Sequence, residues 1–390
     1  MGEMVVRTGR VVQLLSDLIA IESVNPVFAG GNRGEVAVAE FVEDYCRRAG
    51  LDVSRQTVLP GRDNVLAGFQ VPGARQTLLF EAHMDTVALE PMGERGLRPD
   101  VRAGRLYGRG ACDDKGSLAA MLVALEDLAA RRRELPVNVL LLSAVDEEHQ
   151  FRGVLAFIAR KTTVHGAVVG EPTGLRPVVA HKGVVRWRLA TVGRAAHGSR
   201  PEEGSNAIEQ MAEVLCALRQ LQPVLQGRRH PLVGCPTLNV GRIWGGIGVN
   251  VVPDRCTIEV ERRLIPGEDP AAALAEIDAV LAELRDRTPP VRVEREEPYV
   301  TTPTLGTPAG AAVVAAVRQA CRDVGVSDEP TGVPYGSDAS KLWAYGGVPS
   351  VVLGPGSIDQ AHTAEEYVPV DELCQAVEIY VRTALNWPGR

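Results

Sequence analysis

The chain has 390 residues, 45% hydrophobic and 23% charged, a make-up that excludes intrinsic disorder and supplies a large core. At roughly 150 residues per domain, that length accommodates two or three domains. A net charge of −7 argues against nucleic acid or an anionic membrane surface as partner, since both attract basic proteins.

The seven cysteines are scattered, odd in number and never spaced as C-x-x-C. That pattern fits a reducing, cytoplasmic setting and neither a disulfide framework nor a thiolate zinc site. No secretion signal is expected, because the first residues lack an apolar core before a cleavage site. No apolar run approaches the ~18 residues of a membrane span.

In chain order, helical patterns cover residues 11–20 and 35–48, and Thr77 to Phe80 reads as a buried strand. A helix follows from Ser117, its candidate N-cap, to Arg133, with Leu118, Met121, Leu122, Leu125 and Leu128 at helical spacing. The Arg131–Arg133 run closes that pattern and reads as a solvated helix end favoured by the helix dipole. Further buried strands are expected at 137–142, 167–169 and 349–353. Near-continuous apolar strands among helices indicate a mixed, largely parallel sheet of the α/β class, covered on both faces.

The middle of the chain is patterned differently. Val184 to Leu189 alternates with period two, a helix is expected over 206–221, strands over 237–244 and 256–263, and a helix over 270–284. The resulting β-α-β-β-α-β order fits a ferredoxin-like α+β insert at 183–295, within an α/β catalytic domain formed by 1–182 and 296–390.

Acidic residues and histidines stand just beyond the expected strands, where open α/β sheets place their sites. They are His83 and Asp85 after the first, Glu147 and Glu148 after the second, Glu171 after the third and His362 beyond the fourth. Between them Gly108-Arg-Gly-Ala-Cys-Asp113-Asp114-Lys-Gly116 leads into the Ser117 helix. His83 and Asp85 lie two apart on extended chain and share a face. His83 could then bind a metal while the Asp85 carboxylate accepts the other imidazole N–H. Alone, such a pair is more often a buried histidine beside a carboxylate. An adjacent acidic pair such as Glu147–Glu148 is more often a solvated turn, though one member could bind metal while its neighbour activates water.

Taken together, these motifs resemble the aminoacylase, acetylornithine deacetylase, succinyl-diaminopimelate desuccinylase and glutamate carboxypeptidase family of dizinc hydrolases. The matching segments run from His83 to His362. The resemblance implies two divalent metal ions: zinc is the family expectation, and cobalt or manganese would suit the same ligands. It implies His83, a bridging Asp113 and Glu171 for the first ion. Asp113, Glu148 and His362 would hold the second, with Glu147 as general base and Asp85 behind His83. It also implies a cis peptide between Asp113 and Asp114. The 183–295 insert would be a lid and dimerisation domain, making the protein a homodimer. There His197, in Gly-Arg-Ala-Ala-His-Gly-Ser, would reach a neighbouring subunit's site and steady an oxyanion. Asn250 and Arg263 match substrate-binding positions, the arginine as a clamp for the substrate carboxylate; Gly336 lies where relatives place a substrate loop.

The implied function is hydrolysis of the amide bond of a small N-acyl-amino acid. A metallocarboxypeptidase or dipeptidase acting on short peptides would use the same machinery. A non-catalytic protein of the same fold would be expected to lack a ligand or the base, and every one of those residues is present. A nucleotide-binding reading of Gly108-x-Gly110 is poor, because two aspartates stand where a phosphate would need backbone N–H groups. His149, His165, His181 and His230 are assigned structural or solvent roles.

Overall fold

The computed structural model describes residues 2–28 and 33–388, with side chains from residue 8 onward. Residues 1, 389 and 390, at the ends of the expected domain bounds, and residues 29–32 lie outside the described residues. The chain divides into two compact units: residues 1–179, 307–331 and 337–390 form one, and 180–306 with 332–336 form the other. The second unit therefore exceeds the expected 183–295 at both ends and takes a short return segment from later in the chain.

The first unit is built on a mixed sheet. Strand Thr77–His83 lies parallel to Asn138–Ala144 on one side and Gly166–Val169 on the other, and Ser350–Val352 lies parallel to Gly166–Val169. These are the four expected strands. A hairpin, Asp52–Leu59 with Arg62–Phe69, adds antiparallel to Asn138–Ala144. Because the four central strands point the same way, their C-terminal ends, and every chain segment leaving them, emerge at one edge.

Alternation along Thr77–His83 sorts its residues. Leu78, Phe80 and Ala82 join the main core with helices Gly2–Ala20, Val36–Arg48, Lys115–Ala130, Ala312–Val324 and Val370–Leu385. Leu79, Glu81 and His83 take the other parity. Helix Lys115–Ala130 is buried nearly all round, as an apolar helix at the centre of a core must be. It begins at Lys115 behind Asp114, so Ser117 is inside the helix and is not its N-cap. Its last turn ends at Ala130, with Arg131 at the C-cap.

The second unit is an antiparallel sheet in the order Thr237–Gly245, Arg255–Leu264, Gly183–Val192, Val293–Arg295. In chain order these are strands two, three, one and four, the ferredoxin-like arrangement. Helices Ala207–Arg219 and Pro270–Arg285 close a separate core around Trp187, Met211, Ile258 and Leu281. Asn206 caps the first helix by accepting the N–H groups of Ile208 and Glu209, and Asp269 caps the second through Ala272. Among the described residues, no helix is long and apolar enough to cross a membrane.

Candidate active site

The strand ends bring the expected ligands together. His83 closes its strand, opposite Ala144 of the neighbouring strand. Val145 to Glu148 continue from that neighbour, and Gly170 and Glu171 continue from Val169. Asp113 arrives on the loop before helix Lys115–Ala130. His362 arrives on the loop before strand Tyr367–Pro369.

Asp113 stands between the two histidines. Its Oδ1 is 3.0 Å from His83 Nε2 and its Oδ2 is 3.1 Å from His362 Nε2. His362 Nε2 also lies 3.1 Å from Glu148 Oε1. Donor atoms of His83, Asp113 and Glu148 fall within 4.8 Å of one another, as do those of His83, Glu147 and Glu171. Glu147 therefore shares the cluster with the expected ligands. The Asp113–Asp114 peptide is cis, and it is Asp113 that faces the histidines, while Asp114 is fully buried beneath them. Gly170 must be small: a Cβ there would come within 2.6 Å of Ser117 Cβ and 2.7 Å of Asp114 Oδ2.

The geometry around Asp85 departs from the expected one. His83 Nδ1 is 2.9 Å from the Asp85 backbone carbonyl, whereas the nearer carboxylate oxygen is 3.6 Å away. The carboxylate is otherwise engaged: it accepts the N–H groups of Glu147 and Glu148, each at 3.1 Å, and the Asn25 amide at 2.8 Å. Asp85 thus orients His83 with its main chain and the acidic pair with its side chain.

Electrostatics mark the cluster as one that wants a cation. Burial pushes Glu147, Glu148 and Glu171 above the ordinary carboxylate range, and adjacent carboxylates add to it. Against its own burial, Asp113 is held far below that range by hydrogen bonds to His362 and His83. The same contacts, with Asp113 and Glu148, raise His362 to about 10. Two imidazoles and several buried carboxylates suit a divalent ion of the zinc, cobalt or manganese type. The nearby Cys112 thiol instead donates to the Ser357 carbonyl.

Several buried polar residues around this cluster went unread in the sequence. Asn25 donates to both Asp85 and Asp146; Arg62 pairs with Glu35 and reaches Asp146 at 3.2 Å. These residues brace the Glu147–Glu148 turn from behind. Deeper, on the Glu81 parity of the strand, Glu81, Asp338 and Lys341 are all buried. The Lys341 ammonium donates to the Ser337 carbonyl at 3.0 Å and sits 3.1 Å from the centre of the Phe151 ring. Burial raises Asp338 to about 7. Glu366, four residues after His362, accepts the N–H groups of Cys112 and Asp113 and pairs with Arg109.

The remaining expected site residues belong to the second unit. His197 is exposed; its Nδ1 is 2.7 Å from Ser199 Oγ, and it pairs across a β-bridge with Val251. The Gly198 N–H donates to the Asn250 carbonyl at 2.8 Å, so His197 and Asn250 lie on adjoining segments. Arg263, half-buried on strand Arg255–Leu264, donates from Nε to Glu261 at 2.8 Å. Gly336 lies beside the Lys182 carbonyl, 3.7 Å from where its Cβ would stand. Of the other histidines, His165 accepts the Thr77 N–H at 3.1 Å and His230 accepts that of Leu232 at 3.2 Å. His181 is buried beside the Lys182 carbonyl, and His149 is exposed near Arg152.

Comparison with known proteins places this geometry. Residues 79–386 match the model of peptidase family M20/M25/M40. The acetylornithine deacetylase of Myxococcus xanthus is 30% identical over 391 residues, covering 96% of this chain and 97% of that one. Aminopeptidase PepT from Bacillus cereus has a similar structure, with a TM-score of 0.80 at 22% identity over 97% of this chain and 98% of that one. So does a dinuclear metal binding peptidase of the M20 family from Bacillus subtilis, with a TM-score of 0.73 at 16% identity over 97% and 98% of the two chains.

Proposed function

The chain belongs to peptidase family M20/M25/M40 and is a hydrolase of that family, and from that premise we propose that it hydrolyses the amide bond of a small N-acyl-amino acid. The observation that carries this reading is the Asp113 carboxylate, which presents one oxygen to His83 and the other to His362. A carboxylate so placed is a natural bridge between two divalent cations. His83, Asp113 and Glu171 would hold one, and Asp113, Glu148 and His362 the other. Zinc is the first candidate, with cobalt or manganese suited to the same donors. When bound, such ions acidify the attacking water and polarise the scissile carbonyl.

The chain's own residues divide the rest of the work. Glu147 takes the proton of the attacking water and returns it to the departing amine. Burial raises its proton affinity above that of an ordinary carboxylate, which strengthens it as a base. Asp85 fixes the Glu147 backbone and the His83 ring. In the second unit, Arg263 would grip the substrate carboxylate with its planar fork, Asn250 would contact the acyl-amino acid, and His197 would donate to the developing oxyanion.

The similarity to an acetylornithine deacetylase over 96% of the chain supports a deacylase. The likeness to aminopeptidase PepT keeps peptide hydrolysis as the second reading, since that similarity is one of fold. The discriminating experiment measures metal content and hydrolysis together. After chelation and restoration of zinc or cobalt, the protein is offered N-acetylornithine, N-succinyl-diaminopimelate, several N-acetyl-amino acids and a set of dipeptides. Metal-dependent cleavage of an acyl substrate is the expected result. Cleavage of dipeptides alone would move the protein to the peptidases, and failure to bind metal would overturn both readings.

A further inference from the structure

The two loops that carry Asp113 and His362 spring from one small sheet. Strand Arg105–Tyr107 pairs antiparallel with Tyr367–Pro369, Tyr107 opposite Tyr367. The chain leaving Tyr107 toward Asp113 therefore lies beside the chain arriving at Tyr367 from His362. The two tyrosine rings meet at 5.2 Å, tilted by 46°, with the Arg102 guanidinium 4.1 Å over one and that of Arg105 4.3 Å over the other. The ladder extends one step further, where the Gly108 N–H donates to the Glu366 carbonyl at 3.2 Å.

At that point the Glu366 side chain turns inward and is completely buried. Its Oε1 accepts two backbone N–H groups, Cys112 at 3.0 Å and Asp113 at 3.1 Å, and its Oε2 takes the Arg109 guanidinium. Arg109, also buried, donates as well to the carbonyls of Ala88 at 2.9 Å and Glu90 at 3.2 Å. The carboxylate is thus fixed from the 88–90 segment, and it in turn fixes the peptide from which the Asp113 side chain projects. An ion pair serving only the fold would not need to grip that peptide.

We propose that Glu366, held by Arg109, is the positioning residue that sets Asp113 as the bridge and keeps the second metal position assembled. This rests on the reading of Asp113, Glu148 and His362 as ligands. The asymmetry follows from where the ligands are anchored. With the clamp loosened, the first position keeps His83 and Glu171, both on ends of the main sheet. The second keeps only Glu148, because Asp113 and His362 both ride on the clamped loops. Changes behind a ligand typically cost tenfold to a hundredfold in metal affinity.

The test is a cobalt(II) titration of metal-depleted protein followed by visible absorption, on the unchanged chain and on Glu366→Gln and Glu366→Asp. The glutamine keeps an acceptor for the two N–H groups but loses the charge facing Arg109. The aspartate keeps the charge but falls one methylene short of the N–H groups. The unchanged protein is expected to take up two equivalents. The variants should hold the first within about threefold and bind the second about tenfold to a hundredfold more weakly. Should Glu366→Gln fail to fold, Glu366→Asp carries the comparison. Folded variants that titrate like the unchanged protein, or lose both equivalents alike, would overturn the proposal. Failure of both variants to fold would do the same, by assigning Glu366 to stability alone. If the unchanged protein bound no cobalt, the metal reading itself would fall, a result distinct from any variant's behaviour.

Discussion

The Asp85 carboxylate accepts the backbone N–H of Glu147 at 3.1 Å, so the residue two beyond His83 fixes the start of the acidic pair. Its second oxygen does the same for Glu148 while also bonding Asn25. Replacing Asp85 by alanine would leave the Glu147 and Glu148 N–H groups without their acceptor and the Asn25 amide with Asp146 alone. Each such loss costs about 1–3 kcal/mol. Asp85→Ala is expected to lower the urea midpoint, and to weaken metal binding about tenfold to a hundredfold in the protein that remains folded. Calorimetric zinc titration checks the second effect, and unaltered affinity would show that the turn holds itself.

Glu147→Gln separates proton transfer from metal binding. The amide is nearly isosteric and keeps its backbone bond to Asp85, but it cannot accept the water's proton. Loss of a general base typically costs about 10²–10⁴ in rate. The expected outcome is two bound metals by elemental analysis with kcat down by that factor and KM little changed. Because Glu147 also lies within 4.8 Å of His83 and Glu171, the opposite outcome has a definite meaning. Loss of one metal would assign Glu147 to coordination and pass the base role to Glu148.

Metal removal should expose a pH dependence of known sign. In the metal-free fold, Glu147, Glu148 and Glu171 are raised above their ordinary value by burial, and His362 is raised to about 10 by Asp113 and Glu148. Both kinds of shift mean that the folded state binds more protons than the unfolded chain. These groups lower stability as pH rises, and they outnumber Lys115, which burial lowers to about 7 and which acts in the opposite sense above that pH. For the carboxylates the loss starts near pH 4.5; for His362 it starts near 6.5 and runs through about 10. Metal-depleted protein should therefore melt at lower temperature at pH 8 than at pH 5.5, and zinc should raise Tm more at the higher pH, where it displaces fewer protons. A chelated protein whose Tm rises over that interval would contradict the buried cluster.

The parts of this molecule that could be read from sequence share a physical reason. Strands Thr77–His83, Asn138–Ala144 and Gly166–Val169 are buried on both faces, so they appear as unbroken apolar runs, and residues just past a parallel strand end have a predictable location. The ferredoxin-like unit was legible because half-wet strands alternate. Hairpin Asp52–Leu59 with Arg62–Phe69 was not, since polar Ser54, Arg55 and Gln56 break its pattern. Helix Ala312–Val324 was legible in principle, since its buried stripe of Val313, Ala316, Val317 and Ala320 faces away from exposed Arg322 and Asp323, but it lies outside the ligand-bearing motifs. At the site, the clustered histidines and carboxylates announced themselves, but the residues that brace them did not. Asn25, Glu35, Arg62 and Asp338 act through contacts across the fold, and nothing in their local sequence separates them from surface polar residues. Glu366 belongs with them: it stands four residues after His362, and only the fold reveals that it accepts the Asp113 N–H.

His197 offers the last test, one that reports on assembly as well as chemistry. It is exposed on the second unit, with Nδ1 engaged by Ser199, and the proposed role would fall to Nε2. Loss of one oxyanion donor typically lowers kcat about 10²–10³-fold. His197→Ala should do so with metal content unchanged, since the residue lies on a different unit from the ligand cluster. Whether it acts within its own chain or across a homodimer is decided by mixing. If His197 of the partner subunit completes each site, unfolding and refolding His197→Ala together with Glu147→Gln should restore activity that neither variant has alone. Mixed dimers would then contain one site with both an intact Glu147 and an intact histidine from its partner. Absence of recovery, with mixed dimers demonstrated by differential tags, would confine His197 to its own subunit; a kcat unchanged in His197→Ala would remove it from the reaction altogether.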